Sequence, residues 1–70
     1  MKKYSVNKIA LNVKKLRKQH KLTREELAKR AKVNYNTIIK IESGANKNPT
    51  IKTLIGLSGV FKVCVDDFLE

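Results

Sequence analysis

The chain has 70 residues, a hydrophobic fraction of 41% and a net charge of +10, from 16 Lys and Arg against six Asp and Glu. A chain this short supports one small core, so we expect a single domain over residues 1–70 with residues 1–5 as a flexible basic arm. No apolar run approaches the ~20 residues of a membrane span, and the amino terminus lacks the apolar region of a secretion signal. The one cysteine, Cys64, has no partner within the chain. These features argue against a membrane or disulfide-stapled protein and favour the cytoplasm.

The excess positive charge is confined to the first two thirds of the chain. Residues 1–46 hold 13 basic residues against three acidic ones, a balance of +10, whereas residues 47–70 hold three of each. Basic clusters attract polyanions, and counterion release makes their binding to DNA strong and salt-dependent. A solubilising surface is the alternative explanation of the same charge.

An amphipathic helix is predicted from Val6 onward. Its apolar residues recur at the spacing of one helical face: Val6, Ile9, Ala10, Val13 and Leu16.

Two short helices joined by a tight turn are predicted over residues 23–42. Thr23 and Glu26 have the spacing of a capping box, and Asn34 can cap the second helix. The inward residues are Leu27, Ala28 and Ala31 in the first helix and Ile38 and Ile41 in the second. This pattern is a helix-turn-helix, whose second helix is shaped to enter the DNA major groove.

Two further helices are predicted in the last third of the chain. Gly44 ends the preceding helix, and Thr50 caps a fourth helix in which Gly56 and Gly59 lower the helix propensity. Its expected inward residues are Ile51, Leu54, Ile55, Ser58 and Phe61. A short last helix carries Asp66 and Asp67 in its first turn and completes the core with Phe68 and Leu69. The fold class is therefore all-α, a compact bundle of five short helices.

Four segments in this order resemble the phage-repressor/Cro family of bacterial regulators, also called XRE-type: VKKLRKQHKLTREELAKRA, VNYNTIIKIESG, NPTIKTLIGL and VCVDDFL. The resemblance extends from about Ile9 to Leu69 and implies a lambda-repressor-like DNA-binding domain. It also implies an ion pair between Arg17 and Glu42. Lys32 and Lys62 depart from the family, which commonly has glycine there, so each must adopt a positive φ or bend its turn differently.

Base recognition is assigned to the outward face of the second helix of the motif. Asn36 can make two hydrogen bonds to adenine, and Lys40 can donate to guanine. Tyr35 can bond a base or phosphate or cover a thymine methyl. Ile39 has two equally good explanations, a contact with a thymine methyl or packing against a partner.

Phosphate contacts are expected from residues around this face. Arg24 lies in the first turn of a helix whose free N–H groups also favour a phosphate. The resemblance implies contacts from Arg24, Asn34, Thr37, Asn46 and Lys47. Ordinary solvation is the alternative for Arg24 and Lys47, and a hydroxyl bonded back to its own helix is the alternative for Thr37.

The function we expect is a sequence-specific regulator of transcription, a repressor, that binds double-stranded DNA as a homodimer on an inverted repeat. The dimer contact is placed at the neutral, apolar end of the chain, at Val63, Val65, Phe68 and Leu69. The alternative is a protein-interaction module of the same fold, such as an antitoxin. No Cys/His metal spacing, Gly-rich phosphate loop or nucleophile with a positioned base occurs. We therefore expect no enzyme, catalytic residue, metal, cofactor or small-molecule substrate.

Overall fold

The computed structural model describes residues 5–70, which form four α-helices and two short 3₁₀ segments. The α-helices are α1 (Ile9–Gln19), α2 (Arg24–Ala31), α3 (Tyr35–Ser43) and α4 (Ile51–Phe61), and the 3₁₀ segments are Val6–Lys8 and Val65–Phe68. No described residue lies in a β-strand, so the all-α class is confirmed.

The predicted count of five helices is wrong, because the last one is a 3₁₀ segment. Its backbone hydrogen bonds run from Asp67 N to Cys64 O and from Leu69 N to Asp66 O, each at 3.0 Å. These are i to i+3 bonds, and a segment of four residues is too short to establish the i to i+4 ladder of an α-helix. At the other end of the chain, α1 begins at Ile9 rather than at Val6, because Lys8 N and Ile9 N make i to i+3 bonds to Ser5 O and Val6 O.

The two ends of the described chain are hydrogen-bonded to each other. Ser5 N donates to Leu69 O at 2.8 Å, and Asn12 Nδ2 donates to Phe68 O at 3.0 Å. Ser5, the last residue of the predicted arm, is thus hydrogen-bonded to the other end of the chain. Residues 1–4 of the predicted arm lie outside the described residues.

The core lies where the four α-helices meet. The inward positions predicted for α2 and α3 are confirmed, as are Ile9 and Val13 in α1. The buried hydrophobic residues are Ile9, Val13, Leu22, Leu27, Ala28, Ala31, Ile38, Ile41, Leu54, Leu57, Phe61 and Phe68.

The inward face predicted for α4 is partly wrong. Ile51 and Ile55 are 66% and 56% exposed, and Leu57, which the prediction left out, is fully buried. The helix is apolar on most of its circumference, so spacing alone does not determine which side faces the core. Leu54, Leu57 and Phe61 form the buried stripe, and Ile51 and Ile55 lie outside it.

The predicted caps set where α2, α3 and α4 begin. Thr23 Oγ1 accepts a hydrogen bond from Glu26 N at 3.0 Å, and a Glu26 carboxylate oxygen accepts one from Thr23 N at 2.9 Å. The bond that the Thr23 N–H donates to the carboxylate is the main cause that holds the pKa of the Glu26 carboxyl below its ordinary value. Asn34 caps α3 and Thr50 caps α4 in the same way, each through its side-chain oxygen.

Three of the turns use lysine in the left-handed region of backbone conformation, and the first of them is at Lys21, between α1 and α2, with a φ of 56°. Lys32 ends α2 with a φ of 58°, and Lys62 ends α4 with a φ of 57°. These are the two positions at which the resemblance leads one to expect glycine. The turns thus keep the left-handed geometry at a cost of roughly 1 kcal/mol per lysine.

A buried ion pair fixes α3 against α1. Arg17 Nε lies 2.7 Å from one Glu42 carboxylate oxygen, and Arg17 Nη2 lies 3.2 Å from the other. Arg17 Nη1 also donates to the Leu22 carbonyl at 2.8 Å. The Glu42 side chain is only 2% exposed and that of Arg17 11%. Removing one partner of such a pair strands a buried charge, typically at a cost of about 3–5 kcal/mol. This pair therefore sets the rotation of α3 about its own axis.

Gly56 allows α4 to pack closely on the end of α2. A Cβ atom at this position would lie 2.6 Å from the Ala31 carbonyl oxygen, far inside van der Waals contact. A Cβ atom at Gly59 would meet nothing within 4 Å. The two glycines of α4 thus have different roles although they lie in the same helix.

We predict opposite effects of alanine at these two glycines. Gly59→Ala gains helix propensity in open space and should stabilise the fold by about 0.5–1 kcal/mol. Gly56→Ala gains the same propensity but forces α4 away from α2, so it should destabilise the fold by about 1–3 kcal/mol. Urea unfolding followed by circular dichroism measures both variants against the parent. Equal stabilisation by the two substitutions would contradict the close packing of α4 on Ala31.

Candidate nucleic-acid interface

The outward face of α3 presents the four side chains assigned to base recognition. Tyr35, Asn36 and Lys40 are exposed, and Ile39 is half-buried. Each residue of an α-helix advances the side-chain direction by about 100°, so these four positions fall within about 140° of arc. The structure therefore brings the predicted base-reading residues together on one side of one helix.

The opposite face of α3 attaches the helix to the rest of the protein. Ile38 and Ile41 are fully buried, and Glu42 beside them is 4% exposed. The helix begins at the Asn34 cap and ends at Gly44, whose φ of 83° redirects the chain. A rod held on one side by two isoleucines and an ion pair has little freedom to turn its outward face away.

The exposed polar groups of α3 suit the edges of base pairs. The side chains of Asn36 and Lys40 make no hydrogen bond to any other described residue. An asparagine amide offers one donor and one acceptor, which matches adenine N7 and N6, and a lysine ammonium donates to guanine O6 and N7. Ile39 is partly covered by its own protein, which is consistent with either of the two explanations given for it.

Two asparagines beside this face use their side-chain oxygens in turns and retain their NH2 donor groups. The side-chain oxygen of Asn34 accepts from Asn36 N at 2.8 Å, and that of Asn46 accepts from Asn48 N at 3.0 Å. The remaining amide NH2 groups are donors, which suits the acceptor oxygens of a phosphate or sugar. Asn46 N also donates to Lys40 O at 3.0 Å, so the loop after α3 folds back onto the end of that helix.

Thr37 and Lys47 flank the outward face of α3. Lys47 is exposed in the loop, and Thr37 is half-buried on the side of α3 that faces α4. Thr37 borders an open depression of about 410 Å³ together with Lys52 and Thr53. Its hydroxyl makes no hydrogen bond within residues 5–70, so the expected alternative of a bond back to its own helix does not occur here.

Arg24 has a contact that sequence reasoning missed. Its Nε atom donates to a Glu42 carboxylate oxygen at 3.2 Å, so that one buried carboxylate accepts from two arginines. The Arg24 side chain is 46% exposed and borders a depression of about 340 Å³ lined by Arg17, Thr23, Arg24, Glu25 and Tyr35. The Thr23 cap places Arg24 at the first position of α2, but its approach to Glu42 depends on how three helices pack. No local sequence pattern encodes that packing.

The residues assigned to a dimer contact are less exposed than expected. Phe68 is fully buried in the core of its own chain, against Phe61 at a ring-centroid distance of 6.3 Å. It therefore has no surface to offer a second copy, and its assignment to the contact is corrected. Val63, Val65 and Leu69 are half-buried and pack against the core, each leaving part of its surface accessible.

Residues 5–70 contain neither a cluster of metal-binding side chains nor a helix suited to a bilayer. No three His, Cys, Asp or Glu side chains in this range come together in a group that could hold a metal ion. Within the same range, none of the helices has the length and apolar character that crossing a bilayer requires.

Comparison with known proteins identifies the family. A family model described as helix-turn-helix matches residues 13–68. No curated protein matches the chain. Among solved structures, the N-terminal DNA binding domain of SinR from Bacillus subtilis is similar at 31% identity with a TM-score of 0.88, over 91% of this chain and 93% of that one.

Two other structures extend the comparison. The master regulator for biofilm formation SinR in complex with DNA is similar at 32% identity with a TM-score of 0.85, over 89% of this chain and 98% of that one. The restriction-modification controller protein C.AhdI from Aeromonas hydrophila has a TM-score of 0.82 over 91% of this chain and 96% of its own. At 17% identity, C.AhdI shows a likeness of fold alone.

The matched range contains both helices of the motif and most of the core. The family match and the similarity to SinR together confirm the resemblance seen in the sequence. The chain belongs to the helix-turn-helix family of DNA-binding regulators, of the Cro/C1 or XRE type.

Proposed function

We propose that this protein is a sequence-specific transcriptional repressor that reads the major groove of double-stranded DNA with α3. The observation that carries the proposal is the exposed face of α3, where Tyr35, Asn36 and Lys40 lie together in the basic part of a +10 chain. The similarity to SinR, one structure of which is a complex with DNA, supports it. The residues of this chain form one DNA-binding domain, which acts in the cytoplasm and performs no catalysis.

Recognition is divided between the helix face and its surroundings. Asn36 reads adenine and Lys40 reads guanine, each good bidentate contact contributing about 1–3 kcal/mol of discrimination against the wrong base. Tyr35 and Ile39 add contacts to a base edge or a thymine methyl. The phosphate contacts, which fix the register without reading sequence, come from Arg24, Asn34, Thr37, Asn46 and Lys47.

A homodimer on an inverted repeat supplies the affinity that one module lacks. A single small module buries only ~600–1,000 Å² on DNA, and two copies related by a two-fold axis would place their recognition helices ~34 Å apart. Residues 47–70 carry no net charge, so two copies meet there without the repulsion between their basic parts. The contact combines Val63, Val65 and Leu69 with the exposed Ile51 and Ile55 of α4.

The rival function, a protein-interaction module such as an antitoxin, requires a different α3. A face used for protein binding would carry a larger apolar surface with fewer charges at its centre. In this chain the face holds the exposed polar side chains of Asn36 and Lys40. DNA binding is therefore the function that the site supports best.

The base-reading role of α3 is tested by selecting bound duplexes from a random pool at two salt concentrations. The parent protein should select a short inverted repeat. Asn36→Ala should relax the preference at one base pair of each half-site, with a loss of about 1–3 kcal/mol on the selected site. Asn7→Ala, which alters an exposed asparagine outside the motif, is the matched control and should select the parent's site.

Two results would count against this role. One is a pool that shows no sequence preference with the parent protein. The other is an Asn36→Ala variant that keeps the parent's preference at every position.

The dimer contact is tested by placing a charge in the apolar surface of α4. Ile55→Glu should leave binding to an isolated half-site unchanged but weaken binding to the full inverted repeat by about tenfold or more, because it removes the contact between copies. Leu11→Glu alters an equally apolar residue of α1, which is 65% exposed, and is the matched control. Gel-shift titrations on both duplexes measure the difference, and equal losses for the two variants would refute the assignment to α4.

A further inference from the structure

Glu42 accepts hydrogen bonds from two arginines that differ in exposure. Arg17 reaches both carboxylate oxygens, at 2.7 and 3.2 Å, and is 11% exposed. Arg24 reaches only one oxygen, through its Nε atom at 3.2 Å, and is 46% exposed. The carboxylate lies between them with 2% of its side chain exposed.

The contact from Arg24 is not required to neutralise the buried carboxylate. Arg17 already supplies one full positive charge and two hydrogen bonds to Glu42, so the charge is paired without Arg24. The contact instead restricts Arg24, whose long side chain would otherwise sample many rotamers at the surface. Arg24 is thus held in one place by a group that is itself fixed in the core.

The geometry of the guanidinium determines what remains available for a ligand. Glu42 occupies Nε, on one edge of the planar group, and no acceptor within residues 5–70 occupies Nη1 or Nη2. Glu25 borders the same depression, yet no hydrogen bond joins its carboxylate to Arg24 in the described chain. The two terminal NH2 groups therefore present a fork that matches two oxygens of one anion.

We propose that Glu42 is a positioning residue for DNA binding. It holds the Arg24 side chain so that the two terminal NH2 groups of Arg24 donate to two oxygens of one DNA backbone phosphate. This inference rests on the proposed function. A phosphate is favoured over a base because the first helix of a helix-turn-helix crosses the DNA backbone while the second enters the groove. Arg24 is at the first position of that helix, where the free N–H groups also favour an anion.

One carboxylate then links the core to the DNA contact. Arg17 and Glu42 set the rotation of α3, and Glu42 and Arg24 set the position of the phosphate relative to α3. The Glu42 carboxylate therefore fixes how α3 is placed in the groove relative to the DNA backbone. A lysine in place of Arg24 would keep the charge but has no Nε–H edge with which to hold Glu42 while its terminal group binds the anion.

A double-mutant cycle tests the positioning role. The parent, Arg24→Lys, Glu42→Gln and the double variant are titrated with the selected operator, at a temperature where circular dichroism shows all four folded. Arg24→Lys should weaken binding about tenfold for all sequences alike and leave the salt dependence unchanged, because the charge is kept. Glu42→Gln should weaken binding as well, because it releases Arg24 and also loosens α3 from Arg17. The loss in the double variant should therefore be smaller than the sum of the two single losses. Arg30→Lys, the same change at an exposed arginine of α2, should have no effect.

The outcomes separate this inference from the function on which it rests. Additive losses in the double variant would show that Glu42 and Arg24 act independently, and a loss confined to one base pair would show that Arg24 reads a base. Either result overturns the inference while selective binding by the parent upholds the proposed function. A parent protein without selective DNA binding overturns both.

A second measurement covers the case in which Glu42→Gln fails to fold. In the parent, the Nε–H resonance of Arg24 should exchange slowly with water in the free protein and persist when the operator is bound, because Glu42 holds it in both states. Fast exchange of this proton in the free protein, at the rate seen for Arg30, would overturn the inference.

Discussion

The structure depends on one buried carboxylate, that of Glu42, and on the arginines that make its burial possible. A charge that is almost entirely removed from water is stable only if its partners occupy its lone pairs with good geometry. Arg17 meets that requirement with two hydrogen bonds, and its third goes to the Leu22 carbonyl. Because Glu42 lies in α3 and Arg17 in α1, the requirement also fixes how the recognition helix is turned. The functional face of α3 is thus determined from its buried side.

The rest of the fold leaves that face free and surrounds it with positive charge. The caps at Thr23 and Asn34 start the two helices of the motif at defined residues, and the left-handed turns at Lys32 and Gly44 end them. The charge excess of the chain lies in residues 1–46, which contain this motif. The basic charge and the face proposed to contact base edges therefore belong to the same part of the molecule.

Much of this arrangement was predictable because it is encoded locally. The caps are short-range hydrogen bonds with characteristic residues, and the α3 face follows from helical spacing around Ile38 and Ile41. The incorrect predictions concern features that the local sequence pattern does not determine. Helix α4 is apolar on most sides, so its pattern favours Ile51 and Ile55 as inward residues although both are exposed. The sequence assigns Phe68 both to the core and to the dimer contact, and the structure buries it in the core. The bond between Arg24 and Glu42 depends on the packing of three helices and has no sequence signal.

The central claim is that the rotation of α3, set by Glu42, presents Tyr35, Asn36 and Lys40 to DNA. The most direct measurement is a titration of the ¹⁵N-labelled protein with its selected operator, followed by amide and side-chain chemical shifts. The account predicts that the largest changes occur along the outward face of α3, at Arg24 and in the loop at Asn46, with the Ile38 and Ile41 amides changing least within α3. Changes concentrated on α1 and the 3₁₀ segments, with the α3 face unaffected, would contradict it.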